Sequence, residues 1–157
     1  MTADNESLRA RTLEIVQSYG ALLVQQRWND WIALWADDGE LDFPFAPAGR
    51  RRSYRGKTDI LAYMSATPGK MAIEGIDHRR VFPMQDPEAA VVELAIKGRA
   101  FATGQPYNQS YVIFFETRGG KLWRYREYWN PLVSIDAFGG RQAWTASFGS
   151  PAEGEAS

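Results

Sequence analysis

Apolar positions recur at helical spacing near the start of the chain and at alternating spacing from its middle onward, and this change of period lays out the fold. Between Ser7 and Gln26, the residues Leu8, Ile15, Val16, Tyr19, Leu22 and Leu23 share one helical face, with Asn5 or Ser7 available as a cap. Trp31, Leu34 and Trp35 predict a second, shorter helix, capped by Asn29 or Asp30 and ended by Gly39, with Asp37 and Asp38 in its solvated last turn. Gly39 to Phe45 alternates as a strand until Pro44 stops it, and a polar connection runs from Ala46 to Arg55. A third helix is predicted over Lys57 to Ala66. Four strand-like runs then cover Met71 to Phe82, Ala89 to Ala100, Tyr107 to Thr117 and Leu122 to Trp129. Their turns fall at Asp86-Pro87, Gly104-Gln-Pro106 and Arg118-Gly-Gly120. Three helices ahead of an antiparallel meander predict an α+β fold, with helices packed on one face of a curved sheet.

The length, 157 residues, suits one domain. We place it at residues 1–140 and take 141–157 as a C-terminal tail, whose small, acidic end from Ser150 to Ser157 is expected to be disordered. Trp144 and Phe148 in that tail either cover the open end of the domain or dock on a second subunit. Eighteen basic against nineteen acidic residues leave a formal net charge of −1, so no global field draws the chain to nucleic acid or an anionic membrane. The absence of cysteine removes disulfides, thiolate nucleophiles and iron–sulfur centres, and the single histidine, His78, read as a surface residue between charged neighbours, leaves almost no material for a Ser-His-Asp triad. No metal site and no cofactor are expected. No run approaches the roughly 18 apolar residues of a membrane span, and the start lacks the basic and apolar regions of a signal peptide, so a cytoplasmic location is expected.

Candidate chemistry concentrates in Lys121 to Pro131. The odd positions Trp123, Tyr125, Glu127 and Trp129 would share one face of a strand, placing one carboxylate among three aromatics. Burial beside apolar rings disfavours a charged acid and raises its pKa, which makes Glu127 the first candidate for a general acid/base. The competing reading is a Glu that pairs with an Arg of a neighbouring strand. Asn108 and Tyr111 open a strand that is otherwise apolar and are candidates to hold a substrate oxygen, or else to bridge strands. Asn130 is either a substrate contact or a turn residue before Pro131. Asp42 alternates with Leu41 and Phe43, so burying the aromatic side of that strand directs the acid to solvent. Arg50, Arg51, Arg52 and Arg55 form the one dense basic cluster, read as a solvated loop or as a dock for a carboxylate or carrier phosphate.

The order of elements, together with Trp35-Ala-Asp-Asp-Gly39, Tyr54-Arg-Gly56 and the run from Gly120 to Leu132, resembles the SnoaL-like group of the nuclear-transport-factor-2-like superfamily. The resemblance spans about residues 8 to 140. Arg126-Glu127-Tyr128-Trp129-Asn130 is similar to the Arg-Glu-Phe-Met-Asn signature of the phenazine-biosynthesis A/B proteins. It implies a dimer of cone-shaped subunits, each a barrel-like sheet with three N-terminal helices enclosing an apolar pocket. In the phenazine-type proteins the glutamate matching Glu127 is the proposed acid in a ketone condensation. Their partner histidine lies on the third helix, where this chain carries Tyr63 or Met64. SnoaL-type cyclases bear an acid where Asn130 stands, and ketosteroid isomerases carry a base one position from Asp42 and a tyrosine on the first helix, matched by Tyr19.

The expectation is therefore a cytoplasmic, homodimeric, cofactor-free enzyme of secondary metabolism, antibiotic biosynthesis included. It would act on an apolar, carbonyl-bearing or polyene small molecule by cyclisation, isomerisation or condensation. Glu127, Asn108 and Tyr111 are the catalytic candidates, and Tyr19, Trp123, Tyr125, Trp129 and Asn130 the substrate-binding ones. The alternative is a noncatalytic metabolite-binding or accessory protein that uses the same pocket.

Overall fold

A computed structural model describes residues 2–148. Helix α1, Ala3–Val24, starts ahead of the apolar spacing because Thr2, rather than Asn5 or Ser7, is its cap, the Thr2 hydroxyl accepting from Asn5 N. It buries Thr12, Ile15, Val16 and Tyr19. Helix α2, Trp28–Ala33, ends before Trp35, and the chain turns directly into β1, Trp35–Asp42. Asp37 and Asp38 thus lie on a strand and not on a helical turn, paired with Lys57 and Arg118. Gly39 does not end a helix either. A Cβ there would stand 2.7 Å from Cε3 of Trp35, so the glycine makes room for a fully buried indole.

The polar connection contains a short strand that alternation did not predict, β2, Ser53–Arg55, antiparallel to β1. Helix α3, Lys57–Ala66, follows, and a 3₁₀ turn at Thr67–Gly69 leads into the meander of β3 (Met71–Pro83), β4 (Ala89–Ala100), β5 (Gln109–Arg118) and β6 (Lys121–Trp129). Gly119 and Gly120, both at positive φ, close the β5–β6 hairpin. The sheet order is β2-β1-β6-β5-β4-β3, with β1 parallel to β6 and every other pair antiparallel. It is a mixed sheet that stays open between its edges β2 and β3, so the α+β expectation holds without a closed barrel. Register shifts between Ile73 and Gly75 and between Ile76 and His78 add bends to β3, which curves the sheet around the helices.

Helices α4, Pro131–Ala137, and α5, Arg141–Phe148, follow β6. Pro131 occupies the first turn of α4, where a missing N–H costs nothing. Residues 141–148, read from the sequence as the start of a tail, are thus a helix. Trp144 is 1% exposed and donates Nε1–H to Ser134 Oγ at 2.8 Å. The end expected to be disordered, Ser150 to Ser157, lies outside the described residues. Between α1 and the sheet, Tyr19 stacks on Tyr125 with centroids 4.9 Å apart and meets Phe115 edge-on at 5.3 Å. The Thr12 and Thr117 hydroxyls, 2.8 Å apart and buried, tie α1 to β5. No helix among the described residues is long and apolar enough to cross a membrane.

Candidate functional site

A cavity of about 410 Å³ lies between the inner face of the sheet, α1 and α3, and reaches α4 and α5 at one end. Its size falls within the range of small-molecule sites. Most of the wall is apolar, from Val16 and Leu23 on α1 to Val92, Leu94 and Ile96 on β4 and Ile113 and Phe115 on β5. Into it project one carboxylate, Glu127, the guanidinium of Arg50, and the side chains of Tyr19, Tyr63, Tyr107, Tyr111 and Tyr125, and the exposed Arg79 of β3 also lines it.

Glu127 stands near the C-terminal end of β6, opposite Ile113. Its Oε2 accepts a hydrogen bond from the Tyr125 hydroxyl, two residues back on the same face. Glu127 is half-buried, and it lines the cavity. Burial pushes its carboxyl up to about 7, against the opposing pull of the Tyr125 hydrogen bond and the Arg50 charge. The five phenols move further from ionisation. Burial raises each of them, and a charged Glu127 adds to the rise. They remain donors at neutral pH, and the Tyr107 and Tyr111 hydroxyls lie 3.2 Å apart. The site therefore combines one carboxyl raised towards neutral pH with a set of neutral O–H donors.

Of the residues selected from sequence, Tyr19, Tyr111, Tyr125, Glu127 and Trp129 line this cavity. Three do not. Trp123 turns outward because β6 bulges: Glu116 pairs with Arg124 and Thr117 with Leu122, so Trp123 is the extra residue. Leu122 takes the inward position, fully buried, and the Trp123 ring lies under the guanidinium groups of Arg118 and Arg124 at 4.5 and 4.1 Å. Asn108 is exposed between the buried residues Tyr107 and Gln109. Parity excludes Asn108 and Tyr111, three apart, from one face of a regular strand, and the inward set is Tyr107, Gln109 and Tyr111. The Gln109 amide bridges strands, donating to Asn130 O at 2.8 Å and accepting from Asn130 N at 3.1 Å. Asn130 itself is exposed, and its side chain caps α4 by accepting from Leu132 N. Its role is the turn residue.

Asp42 faces away from the cavity, accepting from Ser53 Oγ and Arg55 Nη1, while Leu41 and Phe43 are buried. Sequence reasoning did not single out three lining residues. Tyr107 was legible from the alternation with Tyr111. Tyr63 lies on the predicted third helix, at a place already marked by the absent histidine. Arg50 gave no signal distinct from its neighbours in the cluster, and only the path of the loop brings it inside. Gly98 helps to place Tyr107, since a Cβ there would stand 2.7 Å from Ala72 O and 3.0 Å from Tyr107 O.

An open α+β sheet wrapped by helices around an apolar cavity with one buried acid defines a pocket protein of the cone-shaped nuclear-transport-factor-2-like fold. A sequence profile described as the SnoaL-like domain matches residues 16–125, and the chain belongs to the SnoaL-like family. It is 33% identical over 113 residues to the PhzA/B-like protein PA3332 of Pseudomonas aeruginosa, covering 72% of this chain and 79% of that one, which supports the phenazine-type resemblance. The solved structure named "Putative Isomerase from Bacillus subtilis" superposes with a TM-score of 0.78 at 32% identity, covering 84% of this chain and 95% of that one. A "putative polyketide cyclase" from Xanthomonas campestris pv. campestris shares the fold, with a TM-score of 0.72, 20% identity and coverage of 83% and 98%.

Proposed function

We propose that this protein is an enzyme of secondary metabolism that isomerises, cyclises or condenses an apolar, carbonyl-bearing or polyene small molecule by proton transfer through Glu127. One observation carries the reading: the carboxyl that lines the cavity sits in apolar surroundings that bring its titration to about 7, where both of its forms are populated. As carboxylate, Glu127 takes a proton from carbon next to a substrate carbonyl. Phenol donors such as Tyr107 or Tyr111 stabilise the oxygen of the resulting enolate. As the acid, Glu127 returns that proton at a second carbon, which completes an isomerisation, or assists loss of water after ring closure. Trp129, Tyr125 and Ile113 form a wall that restricts the conformers of a flexible substrate. The isomerase and polyketide cyclase names carried by proteins of the same fold support this class of chemistry. The protein would act without a cofactor, as a cytoplasmic homodimer.

The test is mass-spectrometric analysis after adding substoichiometric wild-type or Glu127→Gln protein to metabolite extract from host cells lacking the gene. Conversion of one species to an isomer or dehydrated product by wild type alone is expected. Equal conversion by both proteins would leave catalysis to the shape of the wall. Stoichiometric retention of one metabolite without conversion would make the protein a noncatalytic binder.

A further inference from the structure

Among the described residues Arg50 is the one buried cation that lines the cavity, Arg79 being exposed, and proton transfer through Glu127 makes no use of it. It comes from the connection between β1 and β2, yet it is only 5% exposed. Its guanidinium carbon lies 5.3 Å from the ring centroids of Phe43 and Trp129, 5.4 Å from those of Tyr63 and Trp144, and 4.9 Å from that of Phe148. Nη2 donates to the Tyr63 hydroxyl, and Nε is buried with no partner among the described residues. The other arginines of the cluster are engaged outside. Arg51 pairs with Asp59, Arg55 with Asp42, and Arg52 donates Nε–H to Ala46 O at 3.0 Å. No carboxylate of the described residues lies within ion-pair distance of Arg50, Glu127 included.

Aromatic faces attract a cation but offer it no hydrogen-bond acceptor. A buried charge without a counter-ion costs stability, and an apolar residue of similar volume would avoid that cost. What this arrangement retains is a guanidinium packed among rings, bordering the cavity, with in-plane N–H still available. A planar fork of that kind pairs bidentately with an oxyanion, and an apolar cavity suits the single charge of a carboxylate better than the nearly double charge of a phosphate. The remaining polar groups agree: apart from Glu127, the ionisable side chains that line the pocket are donors, so it suits a ligand rich in acceptors.

We propose that the pocket takes a substrate bearing a carboxylate, which pairs with Arg50 while its reacting portion faces Glu127. This rests on the reading of the cavity as a small-molecule site, though not on turnover. The test is calorimetric binding of 1-naphthoate, its neutral isostere 1-naphthamide, and 1-naphthyl phosphate to the full-length protein. It is run at about pH 6, below the Glu127 titration, so that repulsion from that residue is small. Wild type is expected to bind the carboxylate at least about tenfold tighter than the amide, from a charge-assisted hydrogen bond. Arg50→Met should bind both equally, and Glu127→Gln should keep the preference. Equal affinity for acid and amide in wild type, no detectable binding of either, tighter binding of the phosphate, or a preference that survives Arg50→Met would each overturn the proposal. If Arg50→Met does not fold, Arg50→Lys replaces it. A point charge without the planar fork should reduce the preference, and an unchanged preference would contradict the assignment. Absence of turnover with the naphthoate preference intact would count against the acid–base reading alone.

Discussion

The Tyr125 hydroxyl donates to Glu127 Oε2 along one face of β6, and Tyr19 stacks on Tyr125 from α1. The acid is thus held by a residue that is itself fixed in the aromatic core, which restricts its carboxyl to one position in the cavity. The hydrogen bond favours the charged form and opposes the effect of burial. Tyr125→Phe removes it and should raise the Glu127 titration above 7 by about one to two pH units, the value of a hydrogen bond to a charged group. A carboxyl-resolved NMR titration of the variant measures the shift.

Stability should depend on pH through the same residue. Because the folded value of about 7 exceeds the ordinary glutamate value of 4.5, the folded chain binds more protons than the unfolded one between the two. Stability is therefore full below about 4.5 and falls as pH rises towards 7, by on the order of 3 kcal/mol in total. The groups that face Glu127 are Arg50 and the phenols of Tyr19, Tyr63, Tyr107, Tyr111 and Tyr125, and burial moves the phenols further above that window. Glu127→Gln should abolish this component, so the variant melts above wild type at pH 8 and close to it at pH 4. Thermal melts across that range decide it.

The two tryptophans of β6 should respond differently. Trp129 is 6% exposed and borders the cavity, and its replacement by Ala should cost about 3–5 kcal/mol and change ligand affinity. Trp123 lies outside between two arginines, and Trp123→Ala should cost roughly 1 kcal/mol and leave binding unchanged. Denaturant unfolding and ligand titration of the pair check the direction of the bulge.

That contrast also marks how far the sequence could be read. Helix α3, strand β4 and the β5–β6 hairpin follow from local period and turn chemistry, and Glu127 follows from its aromatic neighbours on a strand. Trp123 does not, because one extra residue in β6 reverses the face of everything before it, and a bulge leaves no mark in alternation. Asn108 was misplaced despite a visible rule, since residues three apart in a regular strand point to opposite sides. Arg50 and the helix at 141–148 depend on contacts between segments distant in sequence. Arg50 meets the ring of Phe43, just after β1, and rings from α3, β6 and α5 together or not at all.

Gly98 gives a steric test of the site's frame. Its Cβ position is blocked by two backbone oxygens, Ala72 O and Tyr107 O, which cannot yield as a flexible side chain would. Gly98→Ala should destabilise the fold by about 1–3 kcal/mol and displace Tyr107 from its position beside Tyr111. Chemical denaturation gives the first value, and a loss of ligand affinity beyond that of Tyr107→Phe gives the second.

The most direct test of the central claim is a titration of ¹³Cδ-labelled glutamate carboxyls by NMR, comparing wild type with Glu127→Gln. One resonance, missing in the variant, should titrate near 7. If every glutamate resonance titrates below about 5, Glu127 is not the neutral-pH proton carrier of this site and the acid–base account fails.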